Sequence, residues 1–230
     1  MFRIALTLDE SLGRLDNSVL SEQSLMELLV QNMHEKNHFC DAGGDFHPIE
    51  QWNGVHFNVH GSVESIDWQN KFPRGGSMDF QWIPLNALTV NVSTNKLTGS
   101  VELSLLPEGI ISFFAYNNSL SGSLDLTSLP KSLRDLHLDN NNLSGALDLT
   151  GLPPCFESLN LSNNRFHDEV DLRALPASMK AMYISSNRLS GTVRIDRIGD
   201  DINRIDLSGN AIQSLQSTDG RPFQHERISI

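Results

Sequence analysis

The sequence "HEKNH" at residues 34–38 has the residue types and the spacing of a zinc-hydrolase motif. In the pattern H-E-x-x-H, two histidines one helical turn apart bind zinc, and the glutamate between them activates a water molecule. This chemistry requires His34, Glu35 and His38 to lie on one helix. The apolar periodicity of the preceding segment stops at Met33, so we expect the helix to end before His38. A zinc-dependent hydrolase is therefore the least favoured of three candidate functions.

The rest of the chain offers no stronger catalytic pattern. It contains no glycine-rich phosphate loop after a strand and no G-x-S-x-G nucleophile elbow. The remaining histidines show no spacing typical of metal ligands: His47, His56, His60, His137, His167 and His225. The sequence therefore predicts a protein that is not an enzyme, with no catalytic residues, no bound metal and no cofactor.

A repeat of fixed length organises most of the chain. The segment "LPKSLRDLHLDNNNLSGALDLTG" (129–151) is followed directly by "LPPCFESLNLSNNRFHDEVDLRA" (152–174), and the period is 23 residues. A period of this length indicates a solenoid. We predict an N-terminal segment and helical cap at 1–59, an irregular repeat at 60–82, regular repeats at 83–105, 106–128, 129–151, 152–174, 175–197 and 198–220, and a C-terminal cap or tail at 221–230.

Each repeat contains the pattern of a short strand. In the repeat quoted first, Leu136 and Leu138 alternate with Asp135, His137 and Asp139. Because neighbouring side chains of a strand point to opposite faces, the leucines should enter the core and the polar residues should point outward. The later "ALDL" alternation predicts a second strand-like segment on another face of the coil.

An asparagine follows each of these strands at the same repeat position. Its amide can donate two hydrogen bonds and its oxygen can accept, so a buried column can satisfy backbone groups where each coil turns away from its strand. We therefore assign a structural role, that of an asparagine ladder, to Asn95, Asn118, Asn141, Asn164, Asn187 and Asn210.

These patterns resemble a known repeat family. The spacing L-x-x-L-x-L-x-x-N is that of leucine-rich repeats, and the second half, "NxLSGxLDL", resembles the plant-type subclass and still more the repeats of protist members. The resemblance covers about residues 60–220. It implies a leucine-rich repeat solenoid of the α/β class, rich in β structure: a right-handed coil with a concave parallel sheet, short or irregular convex segments and a helical N-terminal cap.

The N-terminal region departs from the period. Residues 21–36 have the periodicity of an amphipathic helix, with Ser21 as its N-cap and Asn37 as its stop signal. The next segment, "WNGVHF" (52–57), resembles the family's W-x-G-V-x-C cap motif, with Phe57 in place of the second cysteine. The apolar helix face comprises Leu25, Leu28, Leu29 and Met33; we expect Trp52, Trp68 and Trp82 to seal this end of the core, and Phe223, Ile228 and Ile230 to cover the last coil.

Charge and cysteine content narrow the partners and the compartment. The net charge of −11 argues against a nucleic acid or an anionic membrane surface, because both would repel this chain. No stretch is long and apolar enough to insert into a membrane, and the opening "MFRIALTL" does not read as a signal sequence. Cys40 and Cys155 lie too far apart to suggest a disulfide framework. We expect a cytoplasmic or other reducing intracellular location.

A column of acidic residues recurs in the "LDL" part of the repeats. The spacing of adjacent strands would place these carboxylates about 5 Å apart. The column could dock a basic partner or cations, but we favour a solvated position without a specific ligand, since exposed like charges cost little at physiological salt. Its members are Asp79, Glu102, Asp125, Asp148 and Asp171, after which Arg194 interrupts the run.

The outward strand positions form the better candidate surface. Both tyrosines of the chain lie there, and exposed aromatic residues are frequent anchors of protein interfaces. We predict a scaffold that binds another protein of unknown identity through the concave sheet; the alternative is a structural or assembly subunit of a large complex. The predicted partner-binding residues are Phe114, Tyr116, Asp135, His137, Asp139, Asn160, Arg165, Tyr183 and Arg188.

Overall fold

The computed structural model of the chain describes residues 17–230. It is a solenoid of stacked coils, and the strands at equivalent coil positions pair in parallel. The predicted leucine-rich repeat fold is therefore confirmed. The opening segment "MFRIALTL" lies outside the described residues. Within the described residues, no helix is long and apolar enough to cross a membrane.

One nine-stranded sheet runs the length of the solenoid, and we call it the main sheet. Only its first two strands, which form a hairpin in the cap, are antiparallel. From Thr89 onward, each residue pairs with the residue 23 positions later, as Ser112 does with Asp135. Its strands are Val55–Phe57, Val63–Asp67, Thr89–Asn91, Ser112–Phe114, Asp135–His137, Ser158–Asn160, Ala181–Tyr183, Arg204–Asp206 and Ile228–Ser229.

A five-stranded parallel sheet forms another face, and we call it the second sheet. Its strands follow the ladder asparagines. The first three end before the "ALDL" position, where the sequence predicts the second strand-like segment, and the last two extend into it. In the coil quoted above the strand ends at Gly145, whose φ of +100° leaves the extended region. The strands are Ser121–Gly122, Asn142–Gly145, Arg165–Asp168, Arg188–Arg194 and Ala211–Gln216; a separate pair joins Gly76–Ser77 to Leu97–Thr98.

The core lies inside the coils. Leu136 and Leu138 of the main sheet are fully buried, as are the side chains of Leu143 and Leu149. Each coil therefore contributes apolar residues from several faces to one continuous column. Stacking removes these residues from water between neighbouring coils, which is why a solenoid of this kind is stable only as an array.

The cap contains one α-helix, Glu22–Val30, flanked by short 3₁₀ turns. Ser21 caps it: its hydroxyl oxygen accepts a hydrogen bond of 3.1 Å from the Ser24 backbone N–H. The helix ends six residues earlier than we predicted, because Met33 forms a β-bridge to Gly76 of the first coil. The 3₁₀ turns are Asn17–Val19, Lys36–Phe39, Ile49–Gln51, Phe80–Trp82 and Leu103–Leu105.

Aromatic rings seal the N-terminal end of the core. Trp52 stacks on Phe39 with 4.2 Å between ring centroids, and Trp68 meets Phe39 at 5.1 Å and Phe72 at 5.7 Å. Both indoles are buried, and their Nε1 atoms donate to backbone carbonyls. Trp82 is also buried. The tryptophans thus cover the edge of the first coils.

The C-terminal end is covered less completely. Ile228–Ser229 adds a short strand to the main sheet, and Phe223 and Ile228 pack partly buried against the core. Ile230 is 61% exposed, so our expectation that it covers the last coil is wrong. It lies beyond this two-residue strand, where no further pairing holds it down.

Candidate interaction surface

The H-E-x-x-H segment lacks the single helix that a zinc site of this type requires. The helix ends at Val30, and the motif crosses a turn whose groups are engaged elsewhere. His34 Nδ1 is 2.9 Å from the carbonyl oxygen of Arg74, and the buried Glu35 carboxylate accepts a 2.9 Å hydrogen bond from the Arg74 N–H. Among residues 17–230, no group of three metal-binding side chains is close enough to hold an ion. These residues join the cap to the first coil.

The asparagine column connects successive coils. Asn141 Nδ2 lies within hydrogen-bonding distance of the carbonyl oxygens of Ala115 and Leu138, at 3.0 and 3.1 Å. Its Oδ1 accepts a 2.9 Å hydrogen bond from the Leu120 N–H of the preceding coil. All six asparagines repeat this arrangement, in which the oxygen accepts from a backbone N–H and the amide donates to carbonyls of two coils.

The acidic column closes local turns. Asp125 Oδ1 accepts hydrogen bonds from the backbone N–H and the hydroxyl of Thr127, and Asp148 accepts the same pair from Thr150. The threonine side-chain hydrogen bonds are the main reason that the pKa of each carboxyl is lowered below its usual value. These bonds give Asp125 and Asp148 a structural role that requires no ligand.

The predicted aromatic residues share one column of the main sheet, which we call the central column. Phe114 pairs with His137, His137 with Asn160, and Asn160 with Tyr183. Phe114 and His137 are in contact, with ring centroids 5.1 Å apart. All of these side chains are partly exposed. The column therefore presents aromatic surface on an otherwise polar face.

Polar groups surround His137 within the sheet. Its Nε2 lies 2.9 Å from the Ser158 hydroxyl of the next coil. On the same strand, Asp135 accepts a 2.9 Å hydrogen bond from the Ser112 hydroxyl. Asp139 follows two residues later and accepts a 2.7 Å hydrogen bond from the Asn140 amide. His137 thus lies between the carboxylates of Asp135 and Asp139 along the chain.

We expect the His137 imidazole to titrate below its usual pKa of 6.5, because burial disfavours the cation more than Asp139 and Asp135 favour it. Neutral His137 therefore stabilises the fold above pH 6.5, and this contribution is lost as the pH falls through the lower folded pKa. NMR titration of its ring protons measures the midpoint. Phe114→Ala removes the ring that contacts the His137 imidazole, so the imidazole becomes more exposed and its titration midpoint should rise. An unchanged midpoint would contradict burial as the cause of the lowered pKa.

Tyr116 is held within the molecule. Its hydroxyl oxygen is 3.0 Å from Gln69 Nε2, two coils toward the N-terminus. Ser93 lies between them in the same column and is 0% exposed. Tyr116 is therefore less available as an anchor than Phe114 or Tyr183.

Arg165 and Arg188 lie away from the aromatic column. Both begin strands of the second sheet, directly after ladder asparagines. Arg165 also donates a 2.7 Å hydrogen bond to the Asn142 side chain, which belongs to that sheet. Our placement of these arginines at the margin of the aromatic surface is wrong, because each coil turns away from the main sheet at its ladder asparagine.

The structure adds a groove that the sequence analysis missed. It measures about 320 Å³ and lies where the cap hairpin meets the first coils. The acidic residue of the groove, Asp67, pairs with Asn91, which lies 24 positions later in the chain instead of 23. Counting back by the regular period from Asn91 therefore gives Trp68 instead of Asp67. We call it the Phe114 groove; it is lined by His56, Ser65, Ile66, Asp67, Thr89, Asn91 and Phe114.

No protein-family model matches the sequence, and no curated protein matches it. Several solved structures do match. A pollen receptor kinase 3 is 25% identical with a TM-score of 0.59, over 72% of this chain and 82% of that one. The Arabidopsis receptor kinase HAESA, solved with the peptide hormone IDA and the co-receptor SERK1, is 17% identical with a TM-score of 0.60; the match covers 85% of this chain and 40% of HAESA.

The leucine-rich repeat ectodomain of the receptor kinase SOBIR1 from Arabidopsis thaliana matches over nearly its whole length. It is 16% identical with a TM-score of 0.52, and the match covers 85% of this chain and 97% of that one. These similarities agree with the arrangement of stacked parallel strands described above. At such low identity the last two show a shared fold, and the functional residues have to be argued from this chain alone.

Proposed function

We propose that this leucine-rich repeat chain is a non-enzymatic interaction scaffold that binds a partner protein through the main sheet. The observation that carries the proposal is the central column, in which Phe114, His137 and Tyr183 are partly exposed on a sheet face whose other positions are mostly small and polar. Aromatic side chains lose little conformational entropy on binding and often supply most of the energy of an interface.

The arrangement of the column supports an extended partner segment. Strands in a sheet are about 4.8 Å apart, so Phe114 and Tyr183, three strands apart, are separated by about 14 Å. A segment crossing the strands would meet an aromatic group at each end and His137 and Asn160 between them. The peptide hormone and co-receptor in the HAESA structure give a precedent for peptide and protein partners on this fold.

Site-specific photocrosslinking tests the proposal. We expect a photoreactive phenylalanine analogue at position 114 or 183 to form a defined adduct with the partner in native cells, identified by mass spectrometry. The same analogue at His167, an exposed position of the second sheet, is the matched control. Adducts that form from the second sheet and not from the main sheet would overturn the proposed binding face.

Truncation of the anchors should weaken binding without unfolding the chain. We expect Phe114→Ala with Tyr183→Ala to cost about 2 kcal/mol or more of binding free energy, because both rings are removed from the interface. The melting temperature should change little, since both side chains point away from the core. Affinity measured with the crosslinked partner, purified separately, checks the effect; unchanged affinity would remove the central column from the interface.

The cysteines support a reducing location for the scaffold. Cys40 and Cys155 are both free thiols, and Phe57 occupies the place of the cysteine that would close the cap disulfide. The core of the cap is instead closed by the stacked rings of Phe39 and Trp52. We therefore propose a cytoplasmic or other reducing compartment, which fluorescence microscopy of the tagged chain in its native cell would test.

A further inference from the structure

We propose that the Phe114 groove receives an arginine side chain, and therefore that the partner segment on the main sheet is basic. This inference rests on the proposed function, since it names the chemistry of the partner that the main sheet binds. The guanidinium would lie between the ring of Phe114 and the carboxylate of Asp67, above Asn91. The remainder of the segment would continue along the central column.

The geometry of the groove favours a planar cation. Asp67, Asn91 and Phe114 occupy adjacent positions of the central column, so the carboxylate and the ring are two strands, about 10 Å, apart. A guanidinium can stack its flat face on an aromatic ring and pair with a carboxylate through its N–H groups, whereas an ammonium is a compact point charge without a flat face to stack. Asp67 Oδ1 accepts only a long 3.3 Å hydrogen bond from the Gln69 N–H.

The charge of the surrounding face favours the same partner. From Ser65 to Ser185, none of the outward main-sheet positions in the described chain carries a lysine or an arginine, whereas Asp67, Asp135 and Asp139 are acidic. A face with one sign of charge attracts a partner of the opposite sign and repels acidic competitors.

Three cations beside this face have partners within the chain. Lys71 Nζ, on the coil of Asp67, donates a hydrogen bond to the Asn53 carbonyl oxygen. Arg134 lies 3.0 Å from one carboxylate oxygen of Glu157, and Lys180 forms an ion pair with the other. Glu157 carries one negative charge against these two cations, so it offsets them in part.

One polar group near the groove also lacks a partner. The Ser93 hydroxyl, on the coil of Asn91, is fully buried and makes no hydrogen bond. Its two neighbours in this column, Tyr116 and Gln69, are joined by a 3.0 Å contact. A bound segment that separates Tyr116 from Gln69 would expose the Ser93 hydroxyl. A hydrogen bond between this hydroxyl and the backbone of the segment would then compensate for the lost contact between Tyr116 and Gln69.

The test uses blocked arginine, N-acetyl-arginine amide, titrated into the isotope-labelled full chain and followed by NMR. We expect saturable shifts at the backbone amides of Asp67, Asn91 and Phe114. Blocked citrulline, which has nearly the same shape without the charge, should bind at least about threefold more weakly. Equal binding of the two compounds, or arginine shifts confined to other faces, would overturn the proposal.

Two variants and one control locate the effect. We expect Asp67→Asn and Phe114→Leu each to weaken arginine binding about threefold or more. Asn keeps an oxygen to accept from the Gln69 N–H, so Asp67→Asn should fold normally. Asp125→Asn removes the same charge far from the groove and keeps the acceptor for Thr127; equal weakening by this control would show that only the overall charge matters.

The same variants separate this inference from the proposed function. If crosslinking at position 114 still captures the native partner while Asp67→Asn and citrulline leave binding unchanged, the scaffold stands and the arginine groove fails. If arginine binds the groove as expected but no partner crosslinks to the main sheet, the proposed function fails.

Discussion

Replacement of Trp68 by alanine should lower the free energy of unfolding by about 3–5 kcal/mol, the largest loss that we expect from a single change in this chain. The indole is 0% exposed and contacts the rings of Phe39, Trp52 and Phe72. The mutation removes apolar area and leaves a cavity that these large rings cannot close by small shifts. It also removes the donor to the Asn53 carbonyl oxygen.

Chemical denaturation followed by far-UV circular dichroism measures this loss. Tyr183→Ala is the matched control, since it removes an aromatic ring that is partly exposed on the main sheet. It should change stability by less than about 1 kcal/mol. Similar losses in both variants would show that the aromatic cluster is not what closes the cap.

Replacement of Asn141 by alanine should destabilise the array by about 1–3 kcal/mol, although its side chain reaches no surface where a partner could bind. The Leu120 N–H would lose its acceptor, and the Ala115 and Leu138 carbonyls would each lose a donor. These groups lie where water cannot replace the amide, because Asn141 is buried. Thermal unfolding of the full chain measures the effect.

The next residue supplies the control for the ladder. Asn142 is partly exposed, and its side chain accepts one hydrogen bond from Arg165 at the surface. Asn142→Ala should therefore cost less than about 0.5 kcal/mol. If Asn141→Ala is as mild as this neighbour, the amide bonds across the coils contribute little to stability.

The sequence predicted the regular part of the molecule because the period determines which residues become neighbours. Once Phe114 and His137 occupy the same repeat position, parallel stacking must bring them together, and the 5.1 Å ring contact is the result. The burial of Leu136 followed from alternation along the strand in the same way.

The predictions failed where the period is broken and where it does not determine the path of the chain. The extra residue between Asp67 and Asn91 shifts the first coil, so the acidic wall of the groove could not be found by counting. The helix ends at Val30 because Met33 pairs with Gly76, a contact between distant residues that local periodicity cannot reveal. Arg165 was misplaced because the turn at the ladder asparagine reassigns the following residues to another sheet.

The uniform spacing of the main sheet also bears on how such a chain can change in length over evolutionary time. Loss of residues 152–174 would remove one whole coil, bring Tyr183 beside His137 and leave an unbroken asparagine column. It would also remove Glu157 and place Arg134 next to Lys180, two like charges without their shared counterion. The regular backbone would therefore accept the loss of a coil, whereas the ion pairs that bridge coils would have to be replaced.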